Sequence, residues 1–183
     1  DVIGRNIAQR MSRSIGQPVV IANQPGFGGN LAAAAVKKAK ADGYTVLFAP
    51  WTSHALNTAL YGAARVGYSL EKDFTAVSVV ASQPMVLLVS STVPAKTTSE
   101  LVSLGKRTPG ELSFASSGSG TLEHVAGELF ARRAGITMMH VPYKGTGPAM
   151  IDLMAGRIQV YTVSAAAVVS NIANPKIRVL MVA

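Results

Sequence analysis

At 183 residues and 49% hydrophobic content, the chain is long enough for one large or two small cores and too apolar for a disordered polymer. Cysteine is absent, which excludes disulfides, thiolate metal sites and cysteine nucleophiles. The net charge of +8 is spread over probable helix ends and accompanied by only 6% aromatic residues, so the positive field suits a small anion better than a nucleic acid.

Hydrophobic spacing then gives the elements in order. Ile3, Ile7, Met11 and Ile15 recur at helical intervals over residues 2–14, and Gly16 stops the helix. Residues 18–21 read as a short strand and 25–29 as a loop, after which Asn30 caps an Ala-rich helix running to residue 40. Strands are predicted at 45–49, 77–81 and 85–89. A helix over 98–107 follows, then Pro109-Gly110 and a strand at 112–115. The helix over 121–133 ends at Gly135; a strand at 137–141 leads through a Gly/Pro loop at 142–148 into a helix ending at 155. A strand at 157–160, a helix over 165–173 and a strand at 177–182 complete the series. Short apolar runs alternating with amphipathic ones predict an α/β fold with parallel strands.

Residues 90–97, extended and rich in hydroxyls, read as a linker, placing a first lobe at 1–91 and a second at 92–183. Each lobe holds a glycine turn feeding a small-residue helix, Gly28-Gly29-Asn30-Leu31 and Ser119-Gly120-Thr121-Leu122. The chain opens at Asp1 without an initiator Met and closes inside the apolar run 179–183. Both ends therefore read as truncated, with any signal peptide outside this chain. No apolar stretch approaches the roughly 20 residues of a membrane span, so no membrane insertion is expected.

The segment from Phe114 to Thr121, Phe-Ala-Ser-Ser-Gly-Ser-Gly-Thr, carries the clearest chemistry. It reads as a buried strand, a tight turn and the start of a helix, whose free N–H groups and dipole attract a carboxylate or phosphate. Ser116, Ser117, Ser119 and Thr121 add hydroxyl donors, and Gly118 and Gly120 let a ligand approach the backbone. Three further loops lie at strand ends, where α/β proteins bind ligands. The first offers Thr52, Ser53 and His54; the second offers Tyr143 as a flat wall, with Lys144 and Gly145; the third offers Ser164. A cleft with donors but no nucleophile–base pair describes a binder rather than an enzyme.

Competing chemistries fit less well. A dinucleotide fingerprint would need a third glycine where Glu123 stands. Ser119 and His124 are close in sequence and define the alternative, an α/β hydrolase or transferase, but the Gly-x-Ser-x-Gly elbow is absent. His54, His124 and His140 have no metal-ligand spacing, and His140 reads as a structural residue in its strand. No metal or cofactor is expected.

Four spaced motifs carry a family resemblance: Asn23-Gln-Pro-Gly-Phe-Gly-Gly-Asn30, Ala41-Asp-Gly-Tyr-Thr45, the turn from Phe114 to Gly120 with His124-Val-Ala-Gly-Glu-Leu-Phe130, and His140-Val-Pro-Tyr-Lys-Gly145. Their type and order resemble the Bug family, the extracytoplasmic solute receptors of tripartite tricarboxylate transporters, from end to end of the chain. The resemblance implies a two-lobed, periplasmic-binding-protein-like (type II) α/β fold, present as a piece of a longer receptor. It implies a small carboxylate ligand, such as a dicarboxylate, a tricarboxylate, an acidic amino acid or an aromatic acid. It also implies a periplasmic location and delivery to membrane transporter subunits or a sensor protein. In the family one turn per lobe holds the carboxylate; the second-lobe turn corresponds to Ser116 to Thr121, and the first-lobe turn precedes Asp1. Where many members carry an acidic residue, this chain has Val163, which argues against an amino-acid ligand.

Overall fold

A computed structural model describes residues 2–182. Its centre is a five-stranded sheet of order β3-β2-β4-β1-β5, built from β1 (Met85–Ser90), β2 (Leu112–Ser116), β3 (Met138–Pro142), β4 (Val160–Ser164) and β5 (Ile177–Val182). β2 runs parallel to β3 and to β4, whereas β1 runs antiparallel to both β4 and β5. The sheet is therefore mixed rather than parallel throughout.

Both faces of the sheet are covered, which is why its strands read as continuous apolar runs. Val86 and Leu88 of β1 join Ala115, Tyr161 and Val163 in one core, closed by Met150 and Leu153 of helix α8 (Thr146–Met154). The alternate residues Leu87 and Val89 join Phe114 and Val160 in the other core. That face is closed by Leu101 of α6 (Thr98–Arg107) and Ala131 of α7 (Leu122–Ala134). A Cβ at Gly127 would strike the Phe114 ring, so α7 lies directly on the sheet there. Thr97 and Thr121 cap α6 and α7 through bonds from the Glu100 and His124 amides.

The first half is helical: α1 (Val2–Ile15), α2 (Asn30–Lys38), α3 (Trp51–Tyr61), α4 (Ala63–Val66) and α5 (Leu70–Asp73). A small core of Ala33, Val66 and Tyr68, with Tyr61 and Leu70 packed against it, joins α2 to α5. Among the described residues no strand precedes Met85. Segments 18–21, 45–49 and 77–81, expected as strands, enter no hydrogen-bonded ladder, and Val77 and Val79 are 84% and 87% exposed. A strand needs a neighbour, and these segments have none among the described residues.

Four other expectations shift. Gly29, at φ 92°, caps α2 in place of Asn30, which sits inside the helix and is buried. α3 occupies what read as a loop. β4 begins at Val160, three residues beyond the expected start, so Ser164 ends the strand instead of following it. The expected helix over 165–173 is a pair of single 3-10 turns. β1, on the first-lobe side of the boundary expected at 91–92, pairs into the sheet formed by the second half.

Candidate functional site

The carboxyl end of β2 leads into the turn at 117–120, held by its own side chains. Ser116 Oγ accepts from the Gly118 amide (3.2 Å), and Thr121 Oγ1 donates to the Gly118 carbonyl (2.7 Å). His124 Nδ1 accepts from the Gly120 amide (3.2 Å), so that nitrogen is the unprotonated one. Ser117 Oγ donates to Glu123 Oε2 (3.0 Å), and Leu122 N–H donates to Ser53 Oγ on α3 (3.1 Å). Much of the donor capacity expected for a ligand is thus committed to the fold. Among the described residues, the Ser117 and Ser119 amides and the Ser119 hydroxyl make no hydrogen bond to the protein.

Two loops face this turn. Gly26, Phe27, Gly28 and Gly29 have φ of 123°, 48°, 63° and 92°. The loop closes on itself, the Gly29 N–H donating to the Gly26 carbonyl (3.0 Å) and the Asn30 N–H to the Phe27 carbonyl. Phe27, the one non-glycine residue with positive φ among those described, packs on Tyr61 of α3 with the rings tilted and their centroids 5.4 Å apart; strain of this kind gathers at ligand sites. The second loop follows β3. Tyr143 N–H and Gly145 N–H donate to the Ser116 and Ser117 carbonyls (2.9 and 3.2 Å). The Tyr143 hydroxyl donates to Asp152 Oδ2 (2.8 Å), whose other oxygen accepts from Arg157 (2.9 Å). Burial, followed by the Asp152 carboxylate, pushes the Tyr143 hydroxyl up to about 12, so the ring is a neutral wall.

Between these loops lies a cavity of about 440 Å³, within the range of small-ligand sites. Of the residues expected at the site, Ser53, Ser117, Gly118, Ser119, Thr121, Tyr143, Lys144 and Gly145 line it. Five expected residues do not. Thr52 is exposed outside it, and His54 is buried behind it, its Nδ1 2.6 Å from the Tyr68 hydroxyl. That hydroxyl donates onward to Asn30 Oδ1 (2.6 Å), so His54 is the donor to Tyr68. Burial holds His54 below its usual pKa. Ser116 is spent on His140 Nε2 (2.7 Å) and Gly118. Gly120 is buried against Asn57, and Ser164 closes β4 away from the cavity. Val163, expected at the ligand, is fully buried in the core.

Sequence reasoning missed the 25–29 loop, Pro50, Tyr61 and Glu123, all of which line the cavity. The run of glycines in Pro25-Gly-Phe-Gly-Gly29 was the signal for the first. Behind the turn, the Phe114, His140 and His124 rings stack, with centroids 4.9 and 4.0 Å apart. Burial and then the neighbouring His124 lower His140 to about 4. Asn57 of α3 is fully buried with both amide atoms unpaired, between Gly28 and Gly120. No hydrogen bond joins Ser119 to His124 among the described residues, so a hydrolytic pair is not assembled.

A family model described as the tripartite tricarboxylate transporter family receptor, TctC, matches residues 3–183. Protein BugT of Bordetella pertussis is 34% identical over 182 residues, 100% of this chain and 56% of BugT. The solved structure of Rpa4515 of R. palustris with adipate has a TM-score of 0.94 at 36% identity, covering 100% of this chain and 60% of that one. MatC from Rhodopseudomonas palustris with bound malate gives 0.91 at 30% identity, covering 100% and 62%. The chain spans about half the length of the curated relatives it matches.

Proposed function

Because the chain belongs to the tripartite tricarboxylate transporter family of receptors, a family of binders rather than enzymes, we propose that it forms the ligand-holding part of a receptor for a small carboxylate. The ligand is a di- or tricarboxylate or an aromatic acid. The receptor works in the periplasm and hands its ligand to transporter subunits or to a sensor. The observation that carries this reading is the cavity itself: it is lined by Ser117 and Ser119, whose amides are unbonded within the described residues, by the glycine-rich 26–29 loop and by Lys144. Adipate and malate, bound in the two related structures, support a ligand of that size. The two halves of the chain that meet at the cavity act as lobes closing on the ligand. Among the described residues no helix is long and apolar enough to cross a membrane.

The test is calorimetric titration of the full-length receptor with adipate, malate, citrate and benzoate. At least one should bind with unit stoichiometry and no turnover. Lys144→Ala should weaken that binding roughly three- to thirty-fold, the range for an exposed charge on a carboxylate. A receptor that binds none of the panel would overturn the reading. Ester turnover abolished by His124→Ala would establish the hydrolase alternative instead.

A further inference from the structure

Among the described residues, the cavity wall carries one ammonium, Lys144, and one carboxylate, Glu123. A carboxylate inside a site for anions is costly for binding unless the ligand answers it. Glu123 stands in the first turn of α7 and is half-buried. Its Oε2 accepts the Ser117 hydroxyl at 3.0 Å, which fixes the group's orientation, while Oε1 meets no protein donor among the described residues. One acceptor oxygen is thus held ready at the wall.

The wall's own charges cancel. A plain dicarboxylate brings two negative charges and finds one cation. A ligand that pairs a carboxylate with a hydroxyl or ammonium group answers both wall charges, the carboxylate at Lys144 and the donor at Glu123. Resting on the carboxylate-receptor reading, we infer that Glu123 determines specificity and that the ligand is a hydroxy or amino acid carrying such a donor. The inference reverses the expectation drawn from Val163. That valine lies in the core and faces no ligand; the acidic partner is supplied from α7 instead.

Full-length receptor is titrated with succinate, malate and aspartate, which share a four-carbon dicarboxylate frame and differ in a hydrogen, hydroxyl or ammonium substituent. In wild type, malate or aspartate should bind about ten-fold or more tighter than succinate, the worth of one charge-assisted hydrogen bond. Glu123→Gln keeps the size and an acceptor for Ser117, and should shrink that ratio below about three-fold while improving succinate binding. Lys144→Gln should weaken all three acids together and leave the ratio in place. Equal binding of succinate and its substituted partners in wild type, or a ratio unchanged in Glu123→Gln, overturns the inference while leaving the receptor reading intact. Binding of none of the three, nor of any acid in the wider panel, overturns the receptor reading and this inference with it.

Discussion

Gly120 shows how one residue changes meaning once its neighbours are known. In the sequence it reads as a gap that lets a ligand reach the backbone. In the fold it is buried, at φ +82°, and a Cβ there would strike the Asn57 amide and come within 3.1 Å of the Tyr61 ring. Gly120→Ala should therefore cost stability, about 2 to 5 kcal/mol from backbone strain and overpacking together. Denaturant unfolding measures it; a loss under roughly 0.5 kcal/mol would mean that the turn rearranges freely. The residues that line the cavity were legible where side-chain chemistry marks them, as at Ser117, Ser119, Tyr143 and Lys144. The 25–29 loop lines the cavity with backbone instead, so its glycines mark a turn in the sequence without marking a ligand. Glu123 marks in the sequence only the place where a dinucleotide fingerprint would need glycine.

At the level of elements, α7 connects the site to the sheet. Its start is fixed by Thr121, whose hydroxyl both receives the His124 amide and donates to the Gly118 carbonyl. Thr121→Ala removes both bonds and should destabilise the protein by about 1 to 2 kcal/mol, with a parallel loss of ligand affinity because the turn loses its shape. Thr121→Ser keeps the hydroxyl and should restore both, as read by thermal melts with and without ligand. Elements with an apolar face and a clear cap, such as α6, α7, β1, β2 and β5, were legible from sequence. α3 was not, because the residues it buries are Ser53, His54 and Asn57 and no hydrophobic period announces it. β4 was misplaced for a related reason: it buries Tyr161 and Thr162, residues that a scan for apolar runs passes over.

For the whole molecule, acid is the relevant stress. His140 falls to about 4 in the fold from 6.5 in the open chain, and buried His54 is lowered in the same direction. Between those pH values the unfolded chain takes up protons that the folded one refuses, so stability is full above pH 6.5 and declines as the pH falls toward 4. Asp73 and Asp152 are lowered from 3.8 and act below this window. Melts recorded from neutral pH downward should show Tm dropping through this interval, less steeply in His140→Gln. A Tm flat across it would remove the buried histidines from the account.

The place of β1 has a consequence during synthesis. It leaves the ribosome before either of its neighbours, since β4 begins at Val160 and β5 ends at Val182. At translation rates of about 5 to 20 residues per second, Met85-Val-Leu-Leu-Val-Ser90 waits on the order of 5 to 20 seconds for both partners. Throughout that interval an apolar strand, the kind that pairs with any other exposed edge, lacks both of its sheet partners. The middle of the sheet is therefore the last part that can close, because β1 stands between β4 and β5.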